Sequence, residues 1–409
     1  MDFKDLQSGL PQIDIKDKNL PLISIQSWDA LIKANNPPYL FTYANHIVRL
    51  IKREKGEMSI DRLDKNKLRH ELARCAIFRI FKNDDFEISL PPPYVVDDML
   101  AYPNYPLPRL SRIVSAPIFS KEGKLHLIPG YSPSTECYFN LDSRVQIPDV
   151  PMHPSNGDVS QAKEKIGELL HDFPFSGEPE MVHAVSLLLS PFVRSMISGP
   201  VPVYIIEAPS PGTGKTLLAQ VLAYPSIGML PEAMSEGRND EEMRKRITAK
   251  MMRFPRYILI DNIRNHIAYS SLASAITSTH WEDRILGASR TVRLRVMSTW
   301  VITGNNPSLS SEMARRCVRI RLDTGQEQPW LRNPEGFKHK NLLRWVKENR
   351  SRLIWAALVL IRNWVSKGKP SPADKPTMGM FEEWCQVMGG IFMVNGIEGF
   401  LGNLHELYT

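Results

Sequence analysis

Residues 201–222 read VPVYIIEAPSPGTGKTLLAQVL, and their order decides the fold. The apolar run Val201–Ile206 has the composition of a buried strand. Leu217–Leu222 reads as a helix, and PSPGTGKT at 209–216 joins the two. Strand, glycine loop and helix in that order make a phosphate-binding loop, or P-loop. Gly212 and Gly214 let the backbone turn so that successive N–H groups point at phosphate oxygens. Lys215 supplies a cation for the β- and γ-phosphates, and Thr216 offers a hydroxyl to Mg²⁺. The positive N-terminus of the following helix favours an anion at the same place. The expected nucleotide contacts are Pro211, Gly212, Thr213, Gly214, Lys215, Thr216 and Leu217. One departure from the motif is Pro209, which stands where its first glycine usually does. Altered geometry at the start of the loop is expected there, with binding retained.

Downstream, the second apolar strand Tyr257–Ile260 ends in Asp261-Asn262. A carboxylate at the end of a buried strand near the P-loop is where Mg²⁺ is held, so Asp261 is the candidate Walker B aspartate. Thr216 and Asp261 are therefore the two metal-site candidates. The next residue, Asn262, stands where such ATPases usually carry Glu, and an amide cannot act as a base. Glu241 and Glu242 are the nearest replacement carboxylates in sequence, although DEEMRKRI at 240–247 also reads as a solvated helix. A third strand, Thr299–Thr303, runs into Gly304-Asn-Asn-Pro307. Asn305 is assigned the polar sensor position beside the γ-phosphate, with Asn306 as the alternative. Arg315 and Arg316 precede the β-alternating run Cys317–Asp323. They are the candidate arginine finger, a cation reaching a neighbouring subunit's nucleotide.

Between the Asp261 strand and the sensor strand, Val292, Leu294 and Val296 alternate with Arg293 and Arg295 after a GAS turn. Period-two alternation reads as a β-hairpin with one apolar and one basic face. Arg290, Arg293 and Arg295 are the candidate DNA contacts, tracking phosphates without reading sequence.

The chain has 409 residues, 43% hydrophobic and 23% charged, enough for more than one domain with a substantial core. No apolar run reaches the ~18–20 residues of a membrane span. The N-terminus is neither a secretory signal nor a transit peptide. Cys75, Cys137, Cys317 and Cys385 show no zinc-ligand or disulfide spacing, so a reducing cytoplasm is the expected compartment. The net charge of +7 is uneven. Residues 1–160 hold 20 basic and 20 acidic residues, so the whole excess lies in the part carrying the P-loop. That bias suits a polyanionic partner. Residues 1–36 read as a flexible leader, 37–150 as a small α+β domain, 151–325 as the ATPase core and 326–409 as a helical lid or C-terminal segment. The linker is placed at Pro148–Asp158, where prolines, glycine and asparagine cluster.

With these motifs placed, the chain resembles AAA+ ATPases of the pre-sensor-1 β-hairpin group. That group includes superfamily 3 and minichromosome-maintenance-like helicases. The closer likeness is to replicative helicases of phages, plasmids and integrative elements. It rests on Asp172-Phe-Pro-Phe175, the P-loop, Glu241–Arg246, Leu259–Asn262, Arg284-Ile-Leu-Gly287, Thr303–Pro307, Arg315-Arg316 and Gly396–Asn403. Tyr94–Tyr131 looks like the accompanying N-terminal region. The resemblance implies an α/β fold, an AAA+ P-loop domain with a parallel sheet and helical lid, preceded by a small α+β domain. It implies ATP and Mg²⁺, a homo-oligomeric and expectedly hexameric ring, single-stranded or forked DNA as partner, and no membrane. An Asp-Asn pair at the second motif occurs in some such helicases, so Asn262 is compatible with hydrolysis. Arg350 is a possible sensor-2 arginine. Relatives often continue into a winged-helix or other DNA-binding tail, and the sequence ending at Thr409 is either a truncated form or one lacking that part. Two rival readings fit the same motifs: a non-helicase remodelling, loader or defence ATPase, and an ATP-binding switch with little hydrolysis.

Overall fold

The computed structural model describes residues 9–16, 19–53, 58–82, 85–253, 255–264, 266–284, 291–373 and 377–408. Contacts divide the chain into two compact units. One runs to Ile113 and adds Gly130–Tyr138; the other comprises Val114–Pro129 and everything from Phe139 onward. Each is built from its own core.

The first unit opens with β1 (Gln12–Asp14) and α1 (Leu20–Ala34). It continues through β2 (Leu40–Tyr43), β3 (His46–Lys52), β4 (Met58–Arg62), α2 (Lys65–Cys75), β5 (Ile77–Lys82), β6 (Asp85–Ser89) and α3 (Pro93–Ala101). β1, β5 and β6 form one sheet and β2, β3 and β4 another. Trp28, Leu31, Leu72, Phe78 and Met99 are buried in the shared core of α1–α3 and β5. This corrects the flexible leader expected over residues 1–36. Within its described part, Asn19 caps α1 and the helix buries Ile23, Ser24, Ser27, Trp28, Ala30 and Leu31 on one face. The spacing of that face is helical; the prolines and charges around it conceal the pattern.

Five short strands follow: β7 (Arg112–Val114), β8 (Ile118–Phe119), β9 (Leu125–His126), β10 (Gly130–Ser132) and β11 (Cys137–Phe139). The expected boundary at residue 150 is not where the contacts divide. Residues 114–129 and 139–150 belong to the second unit, because Ile118 and Phe119 are fully buried and Trp355 Nε1 donates to the Asp149 carbonyl at 2.8 Å.

The second unit then runs α4 (Asn156–Leu170), α5 (Glu178–Val193), β12 (Val203–Ala208), α6 (Lys215–Ile227), β13 (Ala233–Met234), α7 (Asp240–Met251), β14 (Tyr257–Ile263), α8 (Ser270–Thr277), β15 (His280–Arg284), β16 (Thr291–Arg295), β17 (Thr299–Asn305), α9 (Ser311–Ala314) and β18 (Cys317–Arg321). α4 starts at a capping box in which Ser155 and Asp158 satisfy each other's backbone N–H groups. Its sheet is ordered β13-β14-β17-β12-β18, with every pairing parallel. All six residues of β12 are buried, as expected for a central parallel strand covered on both faces. α10 (Leu342–Glu348), α11 (Arg350–Ser366), α12 (Glu382–Val394) and α13 (His405–Tyr408) complete the chain. α11 is buried along most of its length and packs on α4, α5, α6 and α12. Numbered along the unit, the sheet reads 2-3-4-1-5 with the P-loop strand as strand 1. The architecture is that of an AAA+ P-loop domain with C-terminal helices.

Among the described residues, no helix is long and apolar enough to cross a membrane. All four cysteines are buried and free.

Candidate active site

In a parallel α/β sheet the carboxyl ends of the strands converge on one edge, where ligands bind. Three strands deliver the candidate residues to that edge. β12 leads into the loop, where Gly212 (φ 81°) and Gly214 (φ 97°) take left-handed conformations that only glycine adopts without strain. α6 begins immediately at Lys215, and the Leu218 N–H donates to the Gly214 carbonyl at 2.8 Å. Pro209 therefore leaves the loop-to-helix transition in place. The Lys215 ammonium is largely buried and lies 3.3 Å from both the Ser210 carbonyl and the Thr213 hydroxyl. Burial pulls its pKa below the ordinary lysine value, with the charge of Asp261 acting in the opposite direction.

Asp261 sits near the end of β14, and Thr216 Oγ1 donates to its Oδ1 at 2.9 Å. This hydrogen bond joins residues 45 positions apart in the chain. A hydroxyl beside a carboxylate is a hard-oxygen pair of the kind Mg²⁺ takes, so the two candidate metal residues fit the ion. A second hydroxyl, Thr303 Oγ1, donates to the same Asp261 Oδ1 at 2.6 Å and accepts from the Asn262 N–H at 2.8 Å. Nothing in the local sequence singles out Thr303. The only available signal was a polar residue two positions before Asn305, directly after the apolar Trp300–Ile302.

Asn262 holds a left-handed backbone (φ 58°) and is exposed. Asn305 is the exposed last residue of β17 and lies in register with Ala208, the residue before the loop. Asn306 is engaged elsewhere. Its N–H donates to the Ala208 carbonyl at 3.1 Å, and its side-chain oxygen accepts from Arg321 Nη1 at 3.3 Å. The same Arg321 nitrogen reaches Glu207 at 2.9 Å, and Arg319 pairs with that carboxylate at 2.6 Å. Asn306 is thus tied to the sheet and to Arg321, whereas Asn305 ends its strand exposed.

Glu241 and Glu242 are engaged within their own helix. They pair with Lys245 (2.7 Å) and Arg246 (3.0 Å) one turn along α7, the solvated-helix arrangement. Arg350 also lies elsewhere, which corrects its sensor-2 assignment. Its buried guanidinium donates to the Pro225 carbonyl (3.2 Å) and the Ser115 carbonyl (2.7 Å), at the end of α6 remote from the loop.

Beside the loop lies a cavity of about 420 Å³ lined by His171, Asp172, Phe173, Pro174, Arg332 and Phe337 among others. Phe173 also packs on the loop, 3.5 Å from where a β-carbon on Gly214 would lie. The backbone of Trp330 lies against Gly212, where an added β-carbon would come within 3.1 Å of its nitrogen.

Arg315 and Arg316 lie at the other edge of the sheet. The Arg316 carbonyl accepts from the Val203 N–H at the start of β12, whereas the loop leaves from its end. Five residue steps of about 3.3 Å separate the two edges by about 17 Å. Arg315 is exposed, while Arg316 is turned inward onto Glu312 at 3.2 Å.

The hairpin has the two faces expected of it. β15 and β16 pair antiparallel, with Trp281, Asp283, Val292 and Leu294 buried. Arg293 and Arg295 are exposed, opposite Glu282 and His280, and Arg284 joins their face. Arg290 lies outside the described residues. Asp283 accepts from Thr248 Oγ1 at 2.6 Å and Trp281 Nε1 donates to that same oxygen at 2.9 Å, which fastens the hairpin to α7.

No protein-family description and no curated protein matches the chain. Among solved structures it is similar to the apo C-terminal region of NrS-1, at 13% identity and a TM-score of 0.42, over 80% of this chain and 68% of that one. It is also similar to JCV helicase, at 13% identity and a TM-score of 0.25, over 62% of this chain and 66% of that one. These overlaps are partial. What the site does follows from its own side chains.

Proposed function

We propose that this chain is an ATP-dependent DNA helicase or translocase that works as a ring of identical subunits, expectedly a hexamer, in replication of a mobile element or phage. The observation that carries the reading is the 2.9 Å hydrogen bond between Thr216 of the loop and Asp261 of β14. It sets a hydroxyl, a carboxylate and the Lys215 ammonium around one point at the mouth of the glycine loop.

In this reading ATP places its phosphates in the 212–217 turn and its base toward the cavity beside Phe173. Lys215 neutralises the terminal phosphates, and its burial makes the charge more effective. Thr216 and Asp261 would hold Mg²⁺, which supplies charge neutralisation at the phosphate oxygens. Asn305 orients the attacking water. Asn262 contributes an amide there and no proton acceptor. Arg315, with Arg316 behind it, completes the site of the next subunit. The exposed face carrying Arg284, Arg293 and Arg295 contacts single-stranded or forked DNA. The rival of an ATP-binding switch has one observation in its favour, the amide at Asn262.

The test is ATP turnover with and without single-stranded DNA, in wild type and Lys215→Ala. DNA-stimulated turnover abolished by the substitution is the expected result. Turnover indifferent to DNA points instead to a remodelling ATPase, and tight ATP binding with no turnover points to the switch.

A further inference from the structure

We propose that Thr303 is the positioning residue that aims the Asp261 carboxylate at the metal and fixes the turn carrying Asn262. This rests on the reading of the site as a Mg–nucleotide site. The side chain is 1% exposed, in the strand that separates β12 from β14. A hydroxyl has one proton to give. The Asn262 backbone N–H can only donate, so its 2.8 Å contact uses a Thr303 lone pair. The hydroxyl proton is then committed to Asp261 Oδ1, 2.6 Å away. The direction of both bonds is fixed by chemistry.

Thr216 donates to the same carboxylate oxygen, but it belongs to the loop that takes up the ligand. Its oxygen is the one offered to the ion. Thr303 belongs to the packed interior of the sheet, so it holds Asp261 whether or not Thr216 turns away. It also satisfies the backbone of Asn262, whose left-handed conformation carries a steric cost. Without the hydroxyl, Asp261 rests on Thr216 alone and the Asn262 N–H loses its acceptor.

Thr303→Val is isosteric and β-branched, so the strand and its packing are kept; Thr303→Ser keeps the hydroxyl. The measurement is calorimetric titration of the full chain with a non-hydrolysable ATP analogue, once with Mg²⁺ and once with EDTA. The gain in affinity given by Mg²⁺ is expected to fall about tenfold or more in Thr303→Val, the worth of a hydrogen bond to a charged group. Affinity in EDTA is expected to stay within about twofold, and Thr303→Ser to behave as wild type. Adding Thr303→Val to Asp261→Ala should change nothing further, a comparison that holds even if the valine variant is less stable. An unchanged Mg²⁺ gain in Thr303→Val, an equal loss with and without Mg²⁺, failure of serine to rescue, or additive losses in the double variant each overturns the proposal. A wild type that binds no nucleotide overturns the site reading as well, and so separates the two failures.

Discussion

Removing Arg315 tests the proposal that the nucleotide site is shared between subunits, because the sheet keeps this arginine away from its own loop. The arginine lies at the amino edge of β18 and the P-loop at the carboxyl edge of β12, about 17 Å away across strands averaging 3.3 Å per residue. That span exceeds any arginine side chain. Acting within its own subunit, Arg315 has only its field. At an effective dielectric of about 20, a unit charge at ~17 Å is worth about 1 kcal/mol, or roughly fivefold in rate, before salt reduces it further. An arginine in contact with the transferring phosphoryl group of a neighbour is worth about 10³–10⁵-fold. The two cases differ by at least two orders of magnitude. The assay is steady-state ATP turnover of Arg315→Ala, Arg316→Ala and the pair, with gel filtration to verify assembly. Arg315→Ala is expected to lose about a thousandfold or more. Arg316→Ala is expected to lose less, because its guanidinium is committed to Glu312. Mixing Lys215→Ala with Arg315→Ala subunits places an intact loop opposite an intact arginine at roughly a quarter of random interfaces, so turnover should return in part. A double arginine variant within about tenfold of wild type, or a mixture as inactive as its components, would refute the reasoning.

Two further outcomes follow from other parts of the structure. Replacing Arg293 and Arg295 together by Ala should lower the slope of log affinity against log salt for single-stranded DNA by about 1.4, at ~0.7 per lost phosphate contact. Nucleotide affinity should be unchanged in that variant, and an unaltered salt slope would place the DNA elsewhere. His183 gives the protein an acid-sensitive joint. Burial drives its pKa down to about 4 from 6.5, its Nδ1 sits 2.7 Å from the Arg319 carbonyl, and its Nε2 accepts from the Leu401 N–H at 3.0 Å. The folded state keeps this ring neutral while the unfolded chain protonates it near 6.5. Its stabilising contribution is therefore complete above pH 6.5 and is lost as the pH falls toward 4. The loss is about 2 kcal/mol by pH 5 and about 3 kcal/mol in all. Urea unfolding of wild type between pH 7 and 5 should show that loss beyond the one shown by His183→Gln; equal losses would sink it.

Local chemistry was legible because local chemistry was sufficient. The loop needs a strand, two glycines that turn left-handed, a lysine and a helix start, and these are contiguous from Val203 to Leu222. The hairpin was legible for the same reason, since alternation of Val292 and Leu294 with Arg293 and Arg295 sets its two faces whatever else surrounds it. Where composition stood in for pattern, the reading failed. The charges and prolines of residues 1–36 conceal the buried stripe of α1 that ends at Leu31. Arg350 failed differently: its helix was foreseeable, but the end of α6 it would meet was not.

The chain by itself therefore determined the local elements, a glycine turn between a strand and a helix and a two-faced basic ribbon, because those depend on neighbours in sequence. The tertiary structure alone decided which residues cooperate. Strand order sets β17 between β12 and β14, so Thr303 meets an aspartate 42 positions away, and it sends Arg315 to the edge opposite its own loop. Parallel pairing of strands distant in sequence creates both relations, and no local spacing encodes them.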